Sequence, residues 1–220
     1  MPTEPNKPQV NELYGTRFVK LYDLVYDDGS HYFEASRRSA DDLLAMADAE
    51  ALGHALPDAV SACLIVEVAG DEPRMVLNYE YRYPTGQYVM GIPSGLVDAR
   101  DLAQDDPLVA SMTREIAEET GIRLGEEDRI WVANRLLYNT PGLTDESTAL
   151  LCAVAHLDDY SALSHDGAEG SERFGSFELL TKAQALEVLA RGVDPRGRFY
   201  PMVTWAALAY FACDLWKAQD

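Results

Sequence analysis

The most informative stretch of the chain is Arg114-Glu115-Ile116-Ala117-Glu118-Glu119-Thr120-Gly121-Ile122. Its three glutamates are spaced by three and four residues, and on an α-helix they would share an arc of roughly 100°. Like charges on one stripe repel each other by roughly 0.2–0.5 kcal/mol per pair. A solvated acidic face tolerates this cost, whereas a bound divalent cation removes it, because Mg²⁺ prefers carboxylate oxygens. The stretch therefore predicts either an acidic surface helix or a metal site.

The sequence upstream favours the metal site. It contains Gly91-Ile92-Pro93-Ser94-Gly95-Leu96-Val97-Asp98, and with the glutamate stretch it resembles the Nudix box. That box reads glycine, five residues, glutamate, seven residues, then R-E-(apolar)-x-E-E-x-G-(apolar). Gly95 matches the first glycine and residues 114–122 match the end completely. Asp101 stands at the glutamate position, and twelve residues, 102–113, replace the usual seven. We expect the helix to begin after this insertion, because Asp105 or Asp106 can cap it and Pro107 suits its first turn.

Two further segments resemble the ADP-ribose pyrophosphatase branch of the Nudix hydrolases. Glu80-Tyr81-Arg82-Tyr83-Pro84 resembles an E-x-R strand end that precedes the box in that branch. Thr140-Pro141-Gly142-Leu143-Thr144-Asp145-Glu146 resembles its S-P-G-x-(S/T)-x-E loop. The resemblance covers most of the chain, from about residue 17 to the last predicted helix.

The resemblance implies an α/β (α+β) fold. We expect a Nudix α/β/α sandwich with a mixed β-sheet, preceded by a small N-terminal β domain. Residues 1–57 would form a β-hairpin and dimerisation region, and residues 58–220 the hydrolase domain. Hydrophobic alternation and turn residues predict strands, and apolar periodicity predicts helices. The predicted strands are 17–26, 31–37, 59–68, 75–82, 87–92, 130–138, 148–157 and 174–180, and further helices are predicted from Ser39 to near Gly53, at 182–190 and at 200–216.

Composition excludes some functions. The chain has 220 residues, 47% of them hydrophobic, which is enough for a sizeable core. A net charge of −19 argues against binding to nucleic acid or to an anionic membrane surface, since both need cationic patches. Cys63, Cys152 and Cys213 lie in apolar runs without a metal-ligand or disulfide pattern, so we expect reduced core residues in a cytoplasmic protein. The first twelve residues do not read as a signal peptide, and the sequence predicts no membrane span.

The resemblance assigns roles to the acidic stretch. Glu115, Glu119 and the backbone carbonyl of Ser94 would bind Mg²⁺, with Mn²⁺ as an alternative ion. Glu118 would be a lesser or water-mediated ligand of the metal and belongs with the candidate catalytic residues. Arg114 is expected to be structural, pairing with a carboxylate to hold the helix in place.

A general base must lie near the attacking water. In the branch it is a glutamate on the loop before the last strand, and here that loop contains Glu169 and Glu172. The sequence does not choose between these two, and His165 is a weaker rival. A solvated acidic loop is the alternative interpretation.

Four residues are candidates for substrate binding. Arg82 suits a phosphate because its guanidinium can form bidentate contacts, although a surface salt bridge explains it too. Arg37 is a second cationic candidate, and Thr144 and Glu146 are expected around the terminal sugar or in a turn. Tyr14, Tyr22 and Tyr32 could stack on a nucleobase, or could belong to the core or to a dimer interface.

The resulting hypothesis is a metal-dependent pyrophosphatase. Its substrate would be a nucleoside diphosphate linked to a sugar, with ADP-ribose hydrolysed to AMP and ribose 5-phosphate. A UDP-sugar or other nucleotide-sugar pyrophosphatase is the alternative within the fold. A catalytically silent Nudix-like ligand sensor is the alternative of another class, and the complete glutamate set argues against it. The branch further implies a homodimer.

Overall fold

The structure, a computed structural model, describes residues 6–167 and 172–219. These residues form two compact units. The first contains the residues up to Asp58 together with residues 136–148, and the second contains residues 59–135 and the chain from Ala149 onward.

The first unit is built on an antiparallel three-stranded sheet. Its strands are β1 (Gln9–Gly15), β2 (Lys20–Val25) and β3 (His31–Ser36), in the order β1-β2-β3. Strands β2 and β3 confirm the two strands predicted at 17–26 and 31–37, and the alternation predicted for the first is present in β2, where Tyr22 and Leu24 are buried on one face against Leu43. Strand β1 was not predicted from the sequence. Its burial pattern is mostly exposed, so it lacks the apolar alternation that identifies a strand.

The helix predicted from Ser39 to near Gly53 is wrong. The chain instead forms single 3₁₀ turns at Ala40–Asp42 and Leu44–Met46, followed by the short helix α1 (Ala49–His54). The backbone angles of Leu43 and Ala47 are not helical, so these three segments do not join into one helix. The Ser39 side chain caps nothing, whereas the Asp48 side chain accepts from Ala51 N–H and begins α1.

A half-buried arginine connects residues 136–148 to the rest of the first unit. Arg38 lies 3.2 Å from Asp58 and 3.6 Å from Asp145, and it donates to the Leu56 carbonyl at 3.0 Å. The Ala35 N–H donates to the Leu143 carbonyl at 3.1 Å. Arg38 thus contacts two segments that are distant in the sequence, residues 56–58 and Asp145.

The second unit is a seven-stranded sheet flanked by helices. Its order is β10-β5-β4-β9-β8, with β6 paired to β5 and β7 paired to β4. The strands are β4 (Ala59–Val68), β5 (Arg74–Arg82), β6 (Gln87–Gly91), β7 (Ser94–Leu96), β8 (Arg129–Tyr138), β9 (Ser147–Leu157) and β10 (Phe174–Thr181). Every strand predicted in this region is present within a residue or two. The short strand β7 was not predicted from the sequence.

The helices of this unit are α2 (Pro107–Thr120), α3 (Lys182–Arg191) and α4 (Met202–Ala212). Asp106 caps α2 by accepting from the N–H groups of Leu108 and Val109, and Pro107 occupies the first turn, as predicted. Gly121 ends α2 in a left-handed conformation (φ 77°). The prediction of one continuous helix over 200–216 is wrong at its end, where a 3₁₀ segment follows at Leu215–Gln219.

The core of the second unit contains two of the three cysteines. Cys63 on β4 and Cys152 on β9 are buried, as expected, but Cys213 is exposed, which corrects its assignment to the core. Within the described residues, no helix has the length and apolarity needed to cross a bilayer.

Candidate functional site

Helix α2 directs two of its three glutamates into the second unit. Met112 and Ile116 are fully buried and fix the inner face of the helix. Glu115 and Glu119 lie on this face and are 7% and 3% exposed. The Glu118 side chain is 24% exposed. A solvated acidic face would not bury two carboxylates, so the surface-helix interpretation of the stretch is wrong.

A glycine makes room for the Glu115 carboxylate. A Cβ atom at Gly95 would lie 1.9 Å from the carboxylate carbon and from one of its oxygens. Only a residue without a side chain allows this approach. The first glycine of the box therefore has a direct steric reason in this protein.

Glu119 is held by neutral donors. Asn78 Nδ2 on β5 donates to Glu119 Oε2 at 3.0 Å, and the Ser94 N–H lies 3.3 Å from the same oxygen. Burial, opposed in part by this backbone hydrogen bond, raises the pKa of Glu119 well above its usual range. Asn78 was not predicted as a site residue, because a polar residue on a strand does not indicate that its partner lies forty-one positions later.

Arg114 pairs with three carboxylates, as its structural role predicted. Its Nη1 donates to Glu115 at 2.6 Å and to Glu118 at 2.9 Å, and its Nη2 donates to Asp101 at 3.0 Å. Asp101 is buried and also accepts from the Ser111 hydroxyl at 2.8 Å. Asp101, at the position where the box has glutamate, thus anchors the arginine.

The insertion lies between the two members of this ion pair. Residues 101–103 form a 3₁₀ turn, and the chain reaches the helix cap at Asp106. The shorter aspartate still reaches Arg114 after the lengthened connection.

The donor set fits a hard divalent cation. Buried carboxylate oxygens lacking full charge compensation attract Mg²⁺, and burial raises the pKa of Glu115 as it does that of Glu119. Among residues 6–167 and 172–219, however, no three acidic, histidine or cysteine side chains are already grouped as a metal site. Arg114 holds Glu115 and Glu118, while Asn78 holds Glu119. The Ser94 hydroxyl lies 2.9 Å from both Ser61 Oγ and the Ile92 carbonyl.

Glu172 is electrostatically coupled to this cluster. Its negative charge contributes to the raised pKa values of Glu80, Glu115 and Glu119. The sequence placed Glu80 only in the E-x-R segment and did not predict it as an acidic residue of the site. The other candidate base, Glu169, lies outside the described residues.

His165 contacts the backbone of α2. Its Nδ1 donates to the Glu119 carbonyl at 2.7 Å, and its ring stacks on Phe174 and Phe177. Its Nε2 is buried and has no hydrogen-bond partner in the described part of the chain. Burial lowers the pKa of His165. These contacts describe a neutral, anchored imidazole.

Arg82 lies at the end of β5, where its Nη2 is 2.7 Å from Glu80 Oε2. The side chain is 47% exposed, so the rest of the guanidinium is accessible to a ligand.

The other three substrate candidates meet in the first unit. Arg37 Nε donates to Glu146 Oε1 at 2.9 Å, and the Glu146 N–H donates to Thr144 Oγ1 at 3.0 Å. All three residues line a cavity of about 290 Å³. A second cavity of about 350 Å³ in this unit is lined in part by Tyr32, Glu34 and Asp145.

The three tyrosines considered for base stacking separate by burial. Tyr22 is fully buried and its hydroxyl donates to the Arg38 carbonyl, so it is a core residue. Tyr32 is 47% exposed and donates to the Gly142 carbonyl at 2.6 Å. Tyr14 is 67% exposed.

The sequence has relatives among curated Nudix hydrolases. It is 31% identical over 108 residues to an uncharacterised Nudix hydrolase of Schizosaccharomyces pombe, covering 49% of this chain and 48% of the relative. It is 30% identical over 115 residues to putative nudix hydrolase 2 of Caenorhabditis elegans, covering 52% and 43%. Identity to the chloroplastic Nudix hydrolase 14 of Arabidopsis thaliana is 29% over 129 residues, covering 54% and 40%. The chain thus spans less than half the length of these relatives, and no family model matches it.

The fold is similar to that of a solved structure. The crystal structure of an ADP compounds hydrolase superposes with a TM-score of 0.59 at 17% identity, covering 99% of this chain and 98% of that one. The mixed sheet with flanking helices confirms the predicted fold class. The relatives and the fold therefore both agree with the resemblance to the Nudix hydrolases that the sequence shows.

Proposed function

We propose that this protein hydrolyses the pyrophosphate bond of a nucleoside diphosphate linked to a sugar, with Mg²⁺ or Mn²⁺ as its cofactor. The observation that carries the proposal is the burial of Glu115 and Glu119 on α2 beside the bare backbone of Gly95. Burying two carboxylates close together costs stability. Buried carboxylates with shifted pKa values are concentrated at functional sites, where their charge binds a ligand.

The proposed metal ligands are Glu115, Glu119 and the Ser94 carbonyl. When bound, Mg²⁺ offsets the negative charge of the diphosphate and of the transition state. Arg114 is already paired with Glu115 and Glu118, so it keeps these side chains oriented in the absence of metal. Glu118 is partly exposed, in keeping with its lesser role.

Glu172 is the proposed general base. It accepts a proton from the water that attacks phosphorus. Its electrostatic influence on Glu80, Glu115 and Glu119 supports this choice over His165, whose basic nitrogen Nε2 is buried and out of reach of a substrate water. Glu169 remains an alternative on the sequence alone.

Each unit offers candidate contacts to substrate. In the second unit, Arg82 would bind a phosphate through its accessible guanidinium, as forked donors favour phosphate oxygens. In the first unit, Arg37, Thr144 and Glu146 line one cavity, which would take a sugar or phosphate group. ADP-ribose, giving AMP and ribose 5-phosphate, is our first substrate, and the likeness in fold to an ADP compounds hydrolase supports that choice.

We further propose a cytoplasmic homodimer. The sheet of the first unit presents Tyr14, Leu21 and Phe33 on the face opposite its core, and each is exposed. Exposed apolar surface of this kind is typical of protein interfaces. Size-exclusion chromatography tests this part, and a monomer of about 24 kDa, the mass of one chain, would contradict it.

The activity is tested by incubating the purified protein with Mg²⁺ and a panel of ADP-sugars and UDP-sugars. We expect release of a nucleoside monophosphate, with ADP-ribose among the best substrates. Preference for UDP-sugars would favour the alternative within the fold. Saturable binding of these compounds without any hydrolysis would instead identify a ligand sensor.

A further inference from the structure

A loop caps the carboxyl end of α2, the helix that carries the glutamates. The last carbonyls of an α-helix have no partner inside the helix. Here the Ser164 N–H donates to the Thr120 carbonyl at 3.0 Å, and His165 Nδ1 donates to the Glu119 carbonyl at 2.7 Å. A side chain and a neighbouring backbone amide therefore supply the two terminal hydrogen bonds together.

Two glycines let this loop approach the helix closely. A Cβ atom at Gly121 would lie 2.8 Å from the Ala162 carbonyl oxygen. A Cβ atom at Gly167 would lie 2.6 Å from the Glu118 carbonyl oxygen. Both distances are below normal contact, so the loop sits on the backbone of the very turn that carries Glu118 and Glu119.

The imidazole of His165 also contacts β10. Its ring centroid lies 3.8 Å from that of Phe177 and 4.7 Å from that of Phe174, with the rings nearly parallel. Residues three apart on a regular strand point to opposite faces. The register of β10 against β5 shifts between Phe174 and Phe177, and this irregularity brings both rings to one side.

Strand β10 in turn holds the segment containing Glu172. Phe174 lies two residues after Glu172 and pairs with Glu80, while Phe177 pairs with Asn78, the residue that holds Glu119. The Tyr81 N–H donates to the Arg173 carbonyl at 2.9 Å. The His165 side chain therefore contacts both the backbone of Glu119 and the start of β10, and β10 begins two residues after Glu172.

We infer that His165 is a positioning residue that fixes Glu172 relative to the carboxylates of α2. It acts through a hydrogen bond on one side and ring stacking on the other, and no proton transfer is assigned to it. The inference rests on the proposed function insofar as Glu172 is the base. Its structural part, the coupling of β10 to α2, is independent of any activity.

The kinetic test separates the two contacts. His165→Phe keeps a stacking ring and loses the donor, whereas His165→Asn keeps a donor near the position of Nδ1 and loses the ring. We expect His165→Phe to lower kcat by 10- to 100-fold with KM changed less than threefold, and His165→Asn to recover at least a third of the lost activity. Gly167→Ala should also lower kcat, because it pushes the loop away from Glu118. His156→Phe, at an exposed histidine of the same unit, is the matched control and should retain activity.

A kcat of His165→Phe within twofold of wild type would overturn the inference. Equal losses in His165→Phe and His165→Asn, matched by equal falls in melting temperature, would also overturn it, because they would indicate a merely structural residue.

Hydrogen–deuterium exchange tests the same inference without substrate. His165→Phe should increase exchange at least fivefold in peptides covering residues 172–180 and in the last turn of α2, and His156→Phe should not. Unchanged exchange in both regions would contradict the coupling even in an active enzyme. Increased exchange in a protein that hydrolyses no nucleotide would support the coupling and reject the proposed function.

Discussion

Arg114 Nη2 and Asp101 Oδ2 form a hydrogen-bonded ion pair of 3.0 Å across the expanded middle of the box. Asp101 also accepts from the Ser111 hydroxyl, and its pKa is lowered because its hydrogen bonds to Arg114 and Ser111 outweigh the opposing effect of burial. The pair joins the turn before the insertion to the helix after it. The expanded connection therefore preserves the orientation of α2.

Removing the acidic partner should destabilise the protein. Asp101→Ala leaves the largely buried Arg114 with Glu115 and Glu118 as its remaining carboxylate partners, and we expect a loss of roughly 3 kcal/mol in the free energy of unfolding, measured by urea denaturation. Asp98→Ala, at an exposed aspartate three residues earlier, should change it by less than about 0.5 kcal/mol. Equal stability of the two variants would show that the pair does not anchor the helix.

Adding one methyl group at Gly95 should disrupt the proposed metal site. The alanine Cβ would overlap the Glu115 carboxylate, so that side chain must move away. We expect Gly95→Ala to weaken Mn²⁺ binding by about tenfold or more, with a stability loss of about 1–3 kcal/mol from overpacking. Calorimetric titration with Mn²⁺ measures the first effect.

Gly125→Ala is the control for this substitution. Its Cβ would have only an ordinary contact, at 3.8 Å from Asp128 Oδ2. Wild-type Mn²⁺ affinity in Gly95→Ala would argue against Glu115 as a ligand.

Loss of the Arg82 guanidinium should weaken substrate binding. A charge-assisted hydrogen bond contributes about 1.5–3 kcal/mol, so Arg82→Ala should raise KM for ADP-ribose by roughly 10- to 100-fold. The fold should be unaffected, because the side chain is 47% exposed. Steady-state kinetics beside Arg191→Ala, which removes an exposed arginine paired within α3, measures the specific effect. An unchanged KM would assign Arg82 to its surface ion pair with Glu80.

The sequence predicted best where local chemistry is self-contained. Asp106 and Pro107 specify the start of α2, and the apolar run of β4 specifies a buried strand, whatever lies elsewhere in the chain. The helical spacing of the three glutamates was also visible in the sequence alone. Such features can be recognised from the residue spacing of a helix or a strand alone.

Long-range contacts could not be read in this way. The hydrogen bond from Asn78 to Glu119 and the stacking of His165 on Phe177 depend on which strands become neighbours. The helix predicted to begin at Ser39 does not form, because Asp48 and not Ser39 provides the cap. Both residues precede apolar residues, so the sequence did not show which of them begins a helix. Strand β1 lacks a buried face and therefore an alternating pattern.

Glu34 should make stability depend on pH. Burial, together with the negative charge of Asp145, raises its pKa from 4.5 to about 7. Between these values the folded protein keeps a proton that the unfolded chain has lost, so this contribution to stability is present below pH 4.5 and is lost as pH rises through 7. Glu34→Gln cannot ionise. Its free energy of unfolding relative to wild type should therefore increase by roughly 2–3 kcal/mol from about pH 4.5 to about pH 8.

Urea denaturation at several pH values measures this difference. Glu50→Gln, at an exposed glutamate of the same unit, should show no such trend. A difference between Glu34→Gln and wild type that does not vary with pH would contradict the raised pKa.

The most direct test of the central claim is the rate of AMP release from ADP-ribose by wild type and by Glu119→Gln, each assayed with Mg²⁺ and with excess chelator. The glutamine keeps the shape of the buried side chain and can still accept from Asn78 Nδ2. We expect Mg²⁺-dependent release of AMP by wild type and a kcat lowered by at least about 100-fold in Glu119→Gln, with an unchanged melting temperature. Near-normal turnover by Glu119→Gln, or turnover by wild type that persists in chelator, would contradict the assignment of α2 as the metal-binding helix.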